Sequence, residues 1–135
     1  MNNDKRTALI KELSASPVPD LIPIARFFDG NDDLGSIGCN LKNHPGIEAF
    51  RSTFAELSAR SDVQAIYAQI AEVDPGYGAW PFSDTVFIFG DMSKKELQQS
   101  LASLRPDEVS DATSFGISQA ITSMHATALL VAWWD

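Results

Sequence analysis

A chain of 135 residues is long enough for one ordinary domain and too short for two. Hydrophobic residues make up 44% and charged residues 21%, which is globular usage and excludes wholesale disorder. Ten Lys and Arg stand against eighteen Asp and Glu, a net charge of −8. That balance argues against nucleic acid and against an anionic membrane surface as partners, because both need clustered basic charge.

A domain of this size buries roughly two thirds of its unfolded surface and needs no disulfide or metal to fold. The one cysteine, Cys39, cannot form an internal disulfide. No apolar run is long enough to span a bilayer. The N-terminal apolar pattern is broken by Lys5, Arg6, Lys11 and Glu12, unlike a signal peptide. A cytoplasmic location is the expectation. The charge is uneven: residues 1–28 hold four basic and three acidic residues, whereas residues 29–135 hold six and fifteen. An acidic folded surface serves solubility, and it also suits docking of a basic partner.

Asp4 is expected to cap a first helix over 5–15, with Leu9, Ile10 and Leu13 on one side and Pro17 and Pro19 ending it. Residues 21–28 are apolar, and Pro23 suits the start of a helical turn that Gly30 and Asn31 stop. Residues 35–41 read as a weak strand containing two glycines. Pro45 then opens a helix to about residue 60, on which Ile47, Phe50, Phe54 and Leu57 form one stripe. Residues 63–73 read as a strand, 74–78 as a loop, and 84–89 as the strongest strand of the chain. Ser93 and Glu96 have capping-box spacing before Leu97, Leu101 and Leu104, and Pro106 closes that helix. Residues 107–123 read as polar and irregular, and residues 127–134 as the last strand.

From residue 35 onward this order is βαββαβ. It predicts an α+β, ferredoxin-like two-layer sandwich with a four-stranded antiparallel sheet in the order 4-1-3-2. The whole chain, 1–135, reads as a single domain: residues 35–135 form the core and residues 1–28 an N-terminal helical extension. The main rival is another α+β sandwich that lacks the first strand. Val86 and Ile88 point to one sheet face and Phe87 and Phe89 to the other, while Leu129, Val131 and Trp133 oppose Leu130, Ala132 and Trp134. Both faces therefore need covering. Residues 5–28 are the expected cover, and stacking of two sheets in a homodimer is the alternative.

Candidate sites follow from residue chemistry. Asp29, Asn31, Asp32 and Asp33 form the densest polar cluster, but its spacing fails the EF-hand pattern, so no metal is assigned. Such residues commonly build a capped or solvated loop, and here they are also a candidate acidic contact for a partner. Trp80 and Phe82, with Asp84, either plug the core or offer an aromatic contact. Cys39 is expected to be a buried, inert thiol. His44 suits a capping or exposed role, and His125 has no partner nearby in sequence. Glu72 and Asp84 are candidates to meet across a hairpin, where strand-end carboxylates are commonly just exposed groups. Ser36, Ser83 and Ser114 lack a nucleophile-elbow setting, and no phosphate-binding glycine loop occurs. No catalytic residue, metal or cofactor is assigned.

The segments FFDGNDDLGSIGCNL (27–41), WPFSDTVFIFGD (80–91) and AWWD (132–135) resemble an uncharacterised family of small bacterial domains, over most of residues 27–135. That resemblance implies a bacterial, cytosolic chain and brings no activity, cofactor or catalytic residue with it. The expected function is a non-enzymatic protein-binding module, one version being an inhibitor or immunity-like protein acting on a basic partner. The alternative is a dimeric α/β barrel holding a small apolar ligand, with cofactor-free catalysis as one form of it.

Overall fold

A computed structural model of the chain describes residues 1–16 and 20–135, apart from the Ser114 side chain. Helix α1 spans Asn3–Ala15. Its cap is Asn2 rather than Asp4: the Asn2 side chain accepts from the Lys5 amide, and Asp4 lies inside the first turn. An N-cap must hold extended backbone, which Asn2 does at φ −87° and ψ 105°. The helix is capped at Ser16, and the expected stops Pro17 and Pro19 lie outside the described residues. A short strand β1 (Leu21–Pro23) runs directly into helix α2 (Ile24–Phe28), with Pro23 as the N-cap.

The expected strand at 35–41 is not formed. A single 3-10 turn (Leu34–Ser36) leads into irregular chain. Gly38 takes a left-handed φ of +63°, which an extended strand cannot include, and a Cβ there would sit 2.9 Å from Leu41 and 3.1 Å from Phe50. Helix α3 (Ile47–Ser58) buries Ile47, Phe50, Phe54 and Leu57, the expected stripe. It starts after Gly46, not at Pro45, because Gly46 at φ +98° turns the chain into the helix.

Strands β2 (Val63–Glu72) and β3 (Phe82–Gly90) form an antiparallel hairpin, with Ile66 opposite Ile88 and Ala68 opposite Val86. Helix α4 (Lys94–Ser100) carries the capping box in full: Ser93 Oγ accepts from the Glu96 amide at 3.1 Å, and Glu96 accepts from the Ser93 amide at 3.2 Å. Ser93→Ala is expected to lower folding stability by about 1 kcal/mol, read by urea unfolding. A loss near zero would mean the box contributes nothing. Arg60 donates to Asp62 and Glu96 at 2.8 Å each, and this guanidinium holds both carboxyls below their ordinary range.

Residues 107–123 are not simply irregular. They contain strand β4 (Glu108–Asp111) and helices α5 (Ala112–Phe115) and α6 (Gln119–Thr122) before strand β5 (Leu129–Trp133). The sheet is antiparallel and five-stranded, in the order β1-β2-β3-β5-β4. This corrects the four-stranded ferredoxin-like order. With no strand at 35–41 to separate them, β5 pairs directly with β3, Phe87 opposite Val131 and Ile88 opposite Leu130. The α+β class holds, in the form that lacks the expected first strand.

The alternation of β3 and β5 divides two cores. On one face Val86, Ile88, Leu130, Ala132 and Trp134 meet α1, α2, α3 and α4 through Leu9, Leu13, Phe28, Phe50, Phe54 and Leu97. On the other, Phe87, Phe89, Leu129 and Val131 pack with Ile121, and Phe115, Ile117, Leu21 and Tyr67 lie half-buried around them. The cover of the second face is therefore mainly residues 112–125; of the expected cover only Leu21 reaches it, and Leu9, Leu13, Ile22, Ile24, Phe27 and Phe28 lie in the first core. The bare aromatic face that suggested a second copy is filled by the chain's own residues. Among the described residues no helix is long and apolar enough to cross a membrane.

Candidate functional site

The cluster at 29–33 is first a structural device. Asn31, 2% exposed, donates to Ser36 Oγ at 2.9 Å, and its Oδ1 accepts from the Asp33 amide at 2.9 Å. Arg51 donates to the carbonyls of Phe28 and Asn31 at 2.7 and 2.6 Å and also pairs with Glu48. Asp29 pairs with Lys5, and Asp32 with the N-terminal amine, both at 2.5 Å. The Lys5–Asp29 and Met1–Asp32 pairs tie the start of the chain to the loop, and Arg51 ties the loop to α3. Asn31 is thus buried in the loop, while Asp29 and Asp32 are paired within the chain at the surface. Among the described residues no group of three or more His, Cys, Asp or Glu is placed to hold a metal ion.

Asp33 does something else. Its Oδ1 accepts from the Gly35 amide at 2.9 Å and its Oδ2 from the Trp80 amide at 3.0 Å. One carboxylate therefore joins the two segments that composition singled out, forty-seven residues apart. The second segment is braced from behind: Arg6 donates from Nε to the Ala79 carbonyl at 2.8 Å and from Nη2 to Asp74 at 3.1 Å. Trp80 is 1% exposed and belongs to the first core, so its body is a plug. Its Nε1–H is buried with no hydrogen-bond partner among the described residues.

Between the two segments lies an open groove of about 310 Å³, lined by Asp33, Gly35, Cys39, Glu72, Pro75, Ala79, Trp80 and Phe82. Cys39 is exposed, which corrects the expectation of a buried thiol: without a strand at 35–41 the residue has no sheet to enter. Next to the lining residues in sequence stand Leu34, 53% exposed, and Tyr77, fully exposed on a left-handed turn between two glycines. Phe82 is half-buried on the wall. Asp84 is not in the groove; its Oδ1 accepts from Thr85 Oγ1 at 2.9 Å, and its carbonyl accepts from the Trp134 amide. Register places Glu72 opposite Phe82, so Glu72 and Asp84 are not cross-strand partners.

The two histidines are elsewhere. His44 Nδ1 accepts from the Gly46 amide at 2.9 Å, which leaves Nε2–H to donate to the Ile37 carbonyl at 2.8 Å. It braces the turn before α3 by binding the amide of Gly46, the N-cap residue, without capping the helix itself. His125 meets Tyr67 Oη at 2.9 Å and lies against Phe89, with ring centroids 4.7 Å apart. That pair fastens the 112–125 cover to the sheet. A second, apolar groove of about 380 Å³ lies between α2 and α3, lined by Ile24, Ala25, Phe28, Arg51, Phe54, Ala55 and Ser58.

Of the residues singled out from the sequence as a candidate contact, Asp33, Trp80 and Phe82 line this groove, and Cys39 and Glu72, not read as their neighbours, line it too. Tyr77 between Gly76 and Gly78 signalled an exposed loop tip, because a large side chain at a glycine-flanked loop tip has no core to enter.

The chain matches, over residues 4–129, the family described as "Uncharacterized protein YfbO family". It is 28% identical over 120 residues to a protein of Escherichia coli (strain K12) described as "Uncharacterized protein YfbO", covering 85% of this chain and 82% of that relative. No solved structure matches the chain significantly.

Proposed function

Starting from the premise that the chain belongs to the YfbO family, we propose that it is a non-enzymatic protein-binding module and that its contact face is the groove between 33–35 and 75–82. One observation carries this reading. The fold draws the two segments together through Asp33, a groove lies between them, and each segment carries one exposed large apolar side chain, Leu34 on the first and Tyr77 on the second. Large apolar side chains next to an open groove are what an interface anchors on. An acidic molecule of this size suits a basic partner, as an inhibitor or immunity-like protein would, because complementary charge speeds encounter.

The test is capture of partners from bacterial lysate by the parent chain and by a Leu34→Ser/Tyr77→Ser variant. Both substitutions lie on exposed side chains, so the variant is expected to keep the parental melting temperature. The expected result is a partner retained by the parent and lost by the variant. Identical partner sets would refute the reading. A second reading, binding of a small apolar molecule, is supported by the groove between α2 and α3, whose lining is apolar apart from Arg51 and Ser58.

A further inference from the structure

The groove beside Trp80 contains acids and no base. Its ionisable lining groups are Asp33, Glu72 and Cys39, and among the described residues no Lys, Arg or His lines it. Arg6, which braces the 74–79 loop, is committed to Asp74 and the Ala79 carbonyl. Both oxygens of Asp33 accept backbone amides, so Asp33 contributes a fixed negative field. Glu72 is exposed at the end of β2 and is engaged by no ion pair or hydrogen bond among the described residues. Pro75, Ala79, Trp80 and Phe82 supply an apolar floor.

We propose that this groove receives a basic side chain, arginine in the first place, from the partner protein, and the proposal rests on the protein-binding reading above. The apolar stem lies on Pro75 and Phe82, and the guanidinium pairs with the free carboxylate of Glu72 within the field of Asp33. Long basic side chains cover apolar surface while keeping the charged head at the rim, which is the division of chemistry found here. A planar guanidinium also stacks on an aromatic face, and Phe82 lines the groove.

Cys39, the single cysteine, is exposed on the groove wall and reports occupancy. The rate of its alkylation by neutral iodoacetamide is measured with millimolar end-blocked peptides Gly-Ser-Xaa-Ser-Gly, where Xaa is Arg, Leu or Glu. The Arg peptide is expected to slow alkylation, the Glu peptide to leave it unchanged, and Glu72→Gln to weaken protection about tenfold, the order of one charge-assisted hydrogen bond. Equal protection by the Leu peptide, undiminished protection in Glu72→Gln, or no protection by the Arg peptide would each overturn the proposal. Lysate capture separates the two claims. A partner lost with Leu34→Ser/Tyr77→Ser but kept with Glu72→Lys leaves the docking face standing and removes the basic anchor. A partner kept by both variants removes the docking face itself.

Discussion

Alanine at Trp134 is expected to destabilise the fold by about 3–5 kcal/mol, a large share of the whole stability of a small domain. Trp134 is 1% exposed, and its ring packs on Phe50 at 5.6 Å and Phe54 at 6.4 Å. Its Nε1–H donates to the Leu104 carbonyl at 2.9 Å, so one side chain links α3 to the turn after α4. Truncation leaves a cavity under α3 and a buried carbonyl without its donor, and the two losses add. The neighbouring Trp133 is the control. It lies one residue away, faces the other side of the sheet, and is only partly buried. Trp133→Ala is expected to cost clearly less. Urea unfolding of both variants is the measurement, and equal losses would contradict the packing described here.

Asp33→Ala is expected to cost about 2–3 kcal/mol, because it removes an ionised acceptor from two backbone amides at once. The effect is also local in a recognisable way. Amide hydrogen exchange is expected to speed up at Gly35 and Trp80 while the Glu96 amide, capped by Ser93, keeps its protection. Uniform acceleration of all three amides would mean that the variant unfolds globally and that Asp33 has no special part in holding the groove. Docking through Leu34 and Tyr77 is expected to weaken in the same variant, since the two sides of the groove lose their common tie.

Some local signals were legible, although the α1 cap is Asn2 rather than Asp4. The Ser93–Glu96 box needs only four consecutive residues to satisfy its own amides, and it forms as spacing predicts. The stripe of α3 and the alternation of β3 and β5 follow from helical and strand periods alone. The strand expected at 35–41 failed because β-propensity describes fit to a sheet that other residues must provide. Gly38 in a left-handed conformation ended that possibility. The cover of the second sheet face was misassigned for a related reason. Residues 5–28 are more apolar in pattern, whereas the cover supplied by 112–125 rests on a few scattered apolar side chains, Phe115, Ile117 and Ile121, with no regular period to reveal them.

The candidate site shows the same division. Asp33, Trp80 and Phe82 were recognisable one by one, since a carboxylate run and loop aromatics stand out in any composition. Their meeting was not, because the Asp33–Trp80 bond joins residues forty-seven positions apart. Nor did Cys39 and Glu72 reveal themselves, one by its exposure and the other by its place at a strand end.

By itself the sequence determined the α+β class, the capping box of α4, the buried stripe of α3, the facing of β3 and β5, and an acidic net charge. These depend on neighbours within a few residues or on a sum over the chain. Tertiary structure alone decided that β5 lies against β3, that residues 112–125 close the second sheet face, and that two distant loops form one acidic groove. Each of these is a contest between segments for the same apolar surface, and its outcome depends on which packing leaves the fewest buried groups unpaired and the least apolar area in water.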